Sequence, residues 1–442
     1  MKKLSLFFIV LVSVVGCMNS DNKEVEDNVV VEVSNGFAAF TDTFINELWE
    51  LNPIWASYEG FHAYDANLPI PGEARNQKKL DFSEQWLTKL RALDTTTLDG
   101  NEMMDYYLIQ EYLRSIPFYI NEFKSGEWNP STYNLGGAFF QVLNYRQDDL
   151  DERLNNIAQK LKQVPAYYKA AKNTINNPTH VHTELAIQQL KASKKIFEEQ
   201  IIDSANKAHL DETKMKELQL KVQNATNAID DYVASLEEIL PSLEENGKSF
   251  RIGAEQFEKK FNAEIQSEYS AKEIFEIAVE EKSILHDNLY RLSEMLWEKY
   301  FPEQDKPGNR LGQIRMVLDE VAQNHVHRDS FVVAIRKQIP ALEAFVREKD
   351  LLTLDPDKPL IVRETPEYMR GYAGASISAP GPYDKEAETY YNVTPLDHYT
   401  EEQAESYLRE YNDYTLQILN IHEAIPGHYA QLVYSNQSPS II

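Results

Sequence analysis

The chain has 442 residues, 70 acidic against 44 basic side chains, a formal net charge of −26 and 43% hydrophobic content. So acidic a molecule excludes nucleic acid and anionic lipid as charge-driven partners, while its hydrophobic share suffices for one large core or two lobes. Its single cysteine, Cys17, excludes disulfides and thiolate-held zinc.

The predicted elements begin with a signal peptide over residues 1–16, where two lysines precede an apolar stretch from Leu4 to Val15 that is too short to span a bilayer permanently. Val14-Val15-Gly16-Cys17 has the form at which lipoprotein signal peptides are cut. Cys17 is therefore predicted to be the lipidated mature N-terminus, with membrane attachment through that lipid. Residues 17–35 are polar and acidic and suit a flexible tether holding the body, residues 36–442, off the membrane. Met18 after Cys17, in place of Asp, favours the outer over the inner membrane under the usual envelope sorting.

From there helical spacing dominates. Apolar residues recur three or four apart over Phe37 to Glu50, Ser83 to Leu93, Met103 to Leu113, Leu154 to Lys172, Thr183 to Ile202, Glu212 to Leu240 and Arg310 to Ala322. Ser270 and Glu273 form a capping box that opens a long amphipathic helix ending near Tyr300, ahead of Pro302. The expected class is mainly α, helices joined by short polar loops, with no Gly-rich phosphate loop. A small strand region is expected over about 360–395, where glycines and prolines interrupt short apolar and aromatic runs. Within it, Gly374, Ala375 and Ser376 lie on a stretch suited to pairing with the backbone of a peptide, and Tyr390 and Tyr391 are further candidate substrate contacts. A structural hairpin capping the helices is the alternative reading of that region.

Thr400 and Gln403 form another predicted capping box, and the stripe Ala404, Tyr407, Leu408, Tyr411, Tyr414, Ile418, Ile421 runs on into His422 as one buried helix. There the chain reads His422-Glu423-Ala424-Ile425-Pro426-Gly427-His428, followed closely by Gln431. Zinc hydrolases that place two histidines four apart on a helix bring both imidazoles to one metal, with the adjacent glutamate activating its water. Here the spacing is six, which on a regular helix separates the two side chains by roughly 240° and about 9 Å. Pro426 has no amide to return to the His422 carbonyl and crowds it, so the helix must break there. Gly427 beside it permits the turn that brings His428 back toward His422. Glu423 is then the natural general base, and His422 and His428 the metal ligands.

Other groups carry weaker signals. His180-Val181-His182 and His325-Val326-His327 adjoin helices and read as caps or surface residues. Tyr372, Tyr390, Tyr391, Tyr429 and His398 are candidates for holding an oxyanion. Glu364, Glu386 and Asp397 are available as a third ligand, though spacing selects none of them.

The histidine motif resembles that of the bacterial family known as domain of unknown function 885, whose members carry H-E-A-x-P-G-H followed closely by Gln. The resemblance covers most of the mature chain: the run Leu51 to Gly60, the run Phe250 to Phe257, Glu364-Thr365-Pro366 and Tyr390 to Val393 are similar to blocks of that family. It implies a helical fold similar to the helical zinc peptidases, such as the carboxypeptidase Taq and thimet oligopeptidase groups, and a peptidase role with zinc as cofactor. It also implies a third ligand in an E-G-W-A block that follows the motif, and no such block occurs before Ile442, so the C-terminal part of the domain and that ligand are expected to lie outside this chain. The expected function is a zinc-dependent peptidase or amidase of the cell envelope acting on a peptide or protein, active or inactive according to whether that block is present. The alternative is a non-catalytic helical lipoprotein that binds a peptide or protein partner.

Overall fold

A computed structural model describes residues 36–144, 149–384 and 386–442. The predicted signal peptide, tether and Cys17 lie outside the described residues. The body is mainly α with one small sheet, as the periodicity predicts, and among the described residues no helix is long and apolar enough to cross a membrane.

Three buried clusters hold it together. The N-terminal one packs Phe44, Leu48 and Trp49 of helix Phe37–Leu51 against Trp86 and Leu90 of helix Glu73–Arg91 and Leu113 of helix Gly100–Phe118. The central one gathers the helices between Gly136 and Asn246 around Phe139, Leu190, Phe197 and Ile229. The C-terminal one wraps helix Phe331–Glu348 and the last three helices, Glu401–Glu410, Asp413–Glu423 and His428–Ser435, about the sheet. Burial of this kind stabilises by roughly 25 cal/mol per Å² of apolar surface, so these clusters, not helix propensity, carry the fold.

The sheet has strands β1 (Leu360–Glu364), β2 (Ala375–Ser378) and β3 (Thr389–Val393) in the order β1-β3-β2, with β3 parallel to β1 and antiparallel to β2. One edge of β2 is thus unpaired within the sheet. Because neighbours along a strand alternate faces, Arg363, Asn392, Tyr390, Ser376 and Ser378 share one side and Val362, Tyr391, Val393, Ala375 and Ile377 the other.

Several expected elements differ from those formed. The predicted helix Leu154 to Lys172 is two, Leu150–Leu161 and Val164–Thr174, because Pro165 in the first turn of the second has no amide to carry the hydrogen bonding across the junction, where the Gln163 side chain bonds the Ala66 carbonyl and the Leu68 amide. The apolar stripe continues across the break and conceals it. Thr183 to Ile202 is a helix, His180–Lys195, that passes through a wider turn at Ile196–Gln200 into Ile201–Lys207. The helix expected from Ser83 starts at Glu73, and the one expected from Met103 starts at Gly100, where Asp99 and Glu102 make a capping box. The stripe leading to the motif is also interrupted, since Asn412 starts a fresh helix by accepting from the Tyr414 and Thr415 amides. That last helix is not buried as expected: Tyr414, Ile418 and Ile421 face solvent, and Leu416 and Asn420 are its buried residues.

Candidate functional site

The motif helix Asp413–Glu423 ends where the sequence requires. Ala424 leaves helical geometry, a cis Ile425–Pro426 bond follows, and the chain re-enters helix at His428. The break is packed rather than loose, for Ala424 and Ile425 are wholly buried in the C-terminal cluster and both donate their amides to the Asn420 carbonyl, at 2.9 and 3.1 Å. The His422 and His428 rings are thereby brought to a centroid separation of 4.7 Å, nearly perpendicular at 83°. A Cβ at Gly427 would overlap the His422 carbonyl, so the close approach of two backbone segments demands glycine there.

A buried polar node fixes the helix from beneath. Asn420, wholly buried, accepts from the Tyr391 hydroxyl at 2.9 Å and donates to Gln338 Oε1 at 2.7 Å. Burial, and next the Glu423 carboxylate nearby, hold the Tyr391 phenol well above its ordinary value, so it stays a protonated donor. On the exposed side, His428 Nδ1 lies 3.1 Å from the Gln431 amide oxygen one turn on. With the proton on Nδ1 and the amide oxygen accepting, the Nε2 lone pair would be left for a ligand, the arrangement that metal-binding histidines use. Both imidazoles are open to solvent and Glu423 between them is half-buried.

The other predicted residues fall into place unequally. Gly374, Ala375 and Ser376 are half-buried at the start of β2, which touches the motif helix. The glycine accommodates the Tyr407 hydroxyl, a side chain and not the backbone that the sequence suggests. Tyr390 and Tyr391 part company, with Tyr391 turned to the motif helix as a support and Tyr390 on the opposite face, its ring 3.7 Å from the Arg363 guanidinium and its hydroxyl on Glu388. Among the described residues no three His, Cys, Asp or Glu side chains gather as a metal cluster. Glu364 pairs instead with Arg370 at 3.5 Å and Glu386 with Lys358 at 3.6 Å. His182 closes a cap with Thr179, and His325 reaches Glu405 at 3.3 Å. Tyr372 is 84% exposed, Tyr429 is buried with its hydroxyl on the Lys358 carbonyl, and His398 lies by Arg370.

Sequence reasoning missed a cavity of about 1060 Å³. It is enclosed by residues of all three clusters, among them Trp49, Tyr368 and, from the C-terminal part, Arg363, Ile377 and Ser378. Leu432, Ser435 and Asn436 of the helix that begins at His428 also line it, and Asn436 ties that helix to the loop after β2 by donating to the Pro380 carbonyl at 2.8 Å. No periodic signal announces it, because its walls come from segments more than three hundred residues apart.

The body is mainly helical, with a three-stranded sheet and a broken helix that brings two imidazoles together. The chain belongs to the bacterial proteins of unknown function gathered as domain of unknown function 885, whose model matches residues 53–442. Among solved structures it is similar to a "putative lipoprotein of unknown function" from Shewanella oneidensis, with 44% identity and a TM-score of 0.75 over 92% of this chain and 73% of that one. A "putative lipoprotein" from Colwellia psychrerythraea shares the fold at 13% identity, with a TM-score of 0.65 over 90% of this chain and 72% of that one. No curated protein matches.

Proposed function

We propose that this is a zinc-dependent peptidase or amidase held at the cell envelope by a lipid on Cys17, with His422 and His428 as metal ligands and Glu423 as general base. The observation that supports it is the 4.7 Å approach of two imidazoles six residues apart, which a continuous helix would have kept on diverging faces. The donor types suit zinc as far as they go: two imidazoles whose rings approach each other, one with its second nitrogen 3.1 Å from an amide oxygen, and a glutamate next to His422 in the chain. Zinc sites of this kind take a third protein donor, which the described residues do not add.

Zinc at that point would supply a Lewis acid and a water made acidic enough to react near neutrality. Glu423 takes the proton of the attacking water as the bond to the substrate carbonyl carbon forms, then delivers it to the departing amine as the amide bond breaks. The unpaired edge of β2 at Gly374, Ala375 and Ser376 offers backbone groups to an extended peptide by strand addition. The described residues contain no membrane-spanning helix, and the solved relatives named as lipoproteins support the lipid anchor. Met18 after Cys17 favours the outer over the inner membrane.

Metal analysis of purified protein together with amide hydrolysis by a Glu423→Gln variant tests the reading. The expected result is zinc retained by the variant with hydrolysis lowered by about 10²–10⁴-fold. Zinc content unchanged in His428→Ala, or undiminished hydrolysis in Glu423→Gln, would sink it. Peptide binding without zinc and without cleavage would assign the chain to the non-catalytic class instead.

A further inference from the structure

The cavity holds one feature that the histidine motif does not use. Arg363, half-buried on β1, is the sole arginine or lysine among its described lining residues, in a chain of net charge −26. Its Nε donates to Asn392 Oδ1 at 2.7 Å and its guanidinium lies flat against the Tyr390 ring at 3.7 Å. Asn392 is itself fixed, wholly buried and donating to Ser378 Oγ at 2.8 Å. The two terminal nitrogens make no hydrogen bond or ion pair with any described residue. A planar guanidinium gripped on one edge and one face, with its free fork toward a cavity, is a preorganised receptor for a carboxylate, which it meets with two parallel hydrogen bonds.

We propose that Arg363 binds the terminal carboxylate of a short peptide held in this cavity. Five carboxylates, Glu59, Asp105, Asp384, Glu386 and Glu388, also line it. They disfavour a ligand with a second anionic group and favour one that also bears an ammonium, the charge pattern of a free peptide. Position follows from helix geometry: Leu432 and Ser435, four and seven residues after His428, share its face of the helix and line the cavity. The cavity thus adjoins the helix that carries His428, although His422, Glu423 and His428 are not among its lining residues. That the bound peptide is also cut rests on the hydrolase reading above; the carboxylate receptor rests on Arg363 and its surroundings alone.

Calorimetric titration of the full chain, as wild type and as the Glu423→Gln variant so that turnover does not intrude, tests it with three probes: trialanine, trialanine amide and inorganic phosphate. Trialanine is expected to bind both proteins, and at least tenfold more tightly than its amide or phosphate. Arg363→Gln should weaken trialanine at least tenfold and leave the amide as it was. Equal binding of acid and amide, no binding of trialanine, undiminished binding by Arg363→Gln, or phosphate bound as tightly as the peptide would each overturn the proposal. Should Arg363→Gln melt well below wild type, Arg363→Lys decides, since it keeps the charge and loses the fork. Several-fold loss of discrimination between acid and amide is expected there, and undiminished discrimination overturns the proposal. Discrimination without any cleavage would leave the receptor standing and remove the hydrolase; cleavage without discrimination would do the reverse.

Discussion

Two long helices with the same amphipathic spacing meet opposite fates. Glu212–Asn246 buries Leu218, Val222, Ile229, Tyr232 and Leu236 against the central cluster, where Ile229 is wholly enclosed. Ala271–Tyr300 carries Ile274, Phe275, Ile277, Ile284, Leu285 and Leu292 in an equally regular stripe, yet all of them are exposed, and Ser293 and Trp297 are its buried residues. Both helices form, because the pattern and a good N-cap suffice for that: Asp211 accepts from the Lys214 amide in one and Ser270 closes a capping box in the other. Burial needs a neighbour, and the stripe does not say whether one is present. The motif helix stands between the two, with Asn420 and Leu416 buried while Ile418 and His422 face outward. A site that must admit a ligand occupies the less covered kind of surface.

The contrast can be broken most severely at the motif. Gly427→Ala sets a methyl group against the His422 carbonyl, so the two histidines should separate and, on the proposed zinc reading, metal affinity fall by about 100-fold, the upper range for disturbing a ligand's support. Dialysis against a zinc buffer measures this, and unchanged affinity would show that the close approach is dispensable.

The next effect lies in the covered helix. Ile229→Ala should cost about 2–5 kcal/mol in urea unfolding, the range for truncating an enclosed aliphatic side chain. Its partner in the comparison is Ile277→Ala, with 46% exposure, which should stay within about 0.5 kcal/mol. A large loss at Ile277 would mean that its face is covered in solution.

A pH dependence sharpens the same point from the central cluster. Burial holds the Lys160 ammonium down to about 8, within reach of the Ala138 carbonyl at 3.2 Å, against about 10.4 in an unfolded chain. Between those values the unfolded chain binds a proton that the folded chain lacks, so stability should rise from pH 8 toward pH 10, by on the order of 2 kcal/mol. Above pH 10 the trend should reverse, because burial pushes the Tyr112 phenol up to about 12 and it stays neutral when folded while unfolded tyrosines ionise. Lys160→Met should flatten its share of the rise, leaving that of Lys79, which burial also holds down to about 8. Denaturation midpoints across that range measure it, and a rise of the same size in the variant would refute the assignment. Smallest of all is the change expected at Ile277.

How far the sequence could be read depends on the range of the interaction. Capping boxes at Ser270–Glu273 and Thr400–Gln403 form as their spacing predicts, since both partners lie within one turn. Pro426 announces the helix break for the same local reason, and the imidazoles converge beyond it. The helix junctions at Gln163 and Asn412 were not legible from the apolar stripe. At Gln163 the local signal was Pro165, in the first turn of the next helix, which the stripe running across it hid. At Asn412 the cap signal was present, but the stripe on either side hid it.

The amino-acid sequence by itself determined the helical class, the position of the small sheet and the broken helix beyond which His422 and His428 converge, because propensity, capping and a missing amide act over a few residues. Only the tertiary structure decided which helical faces are covered, that Tyr390 and Tyr391 serve opposite sides of the sheet, and that Arg363 lines a cavity. Those outcomes depend on surfaces contributed by distant segments, and their complementarity is not written into any one stretch of the chain.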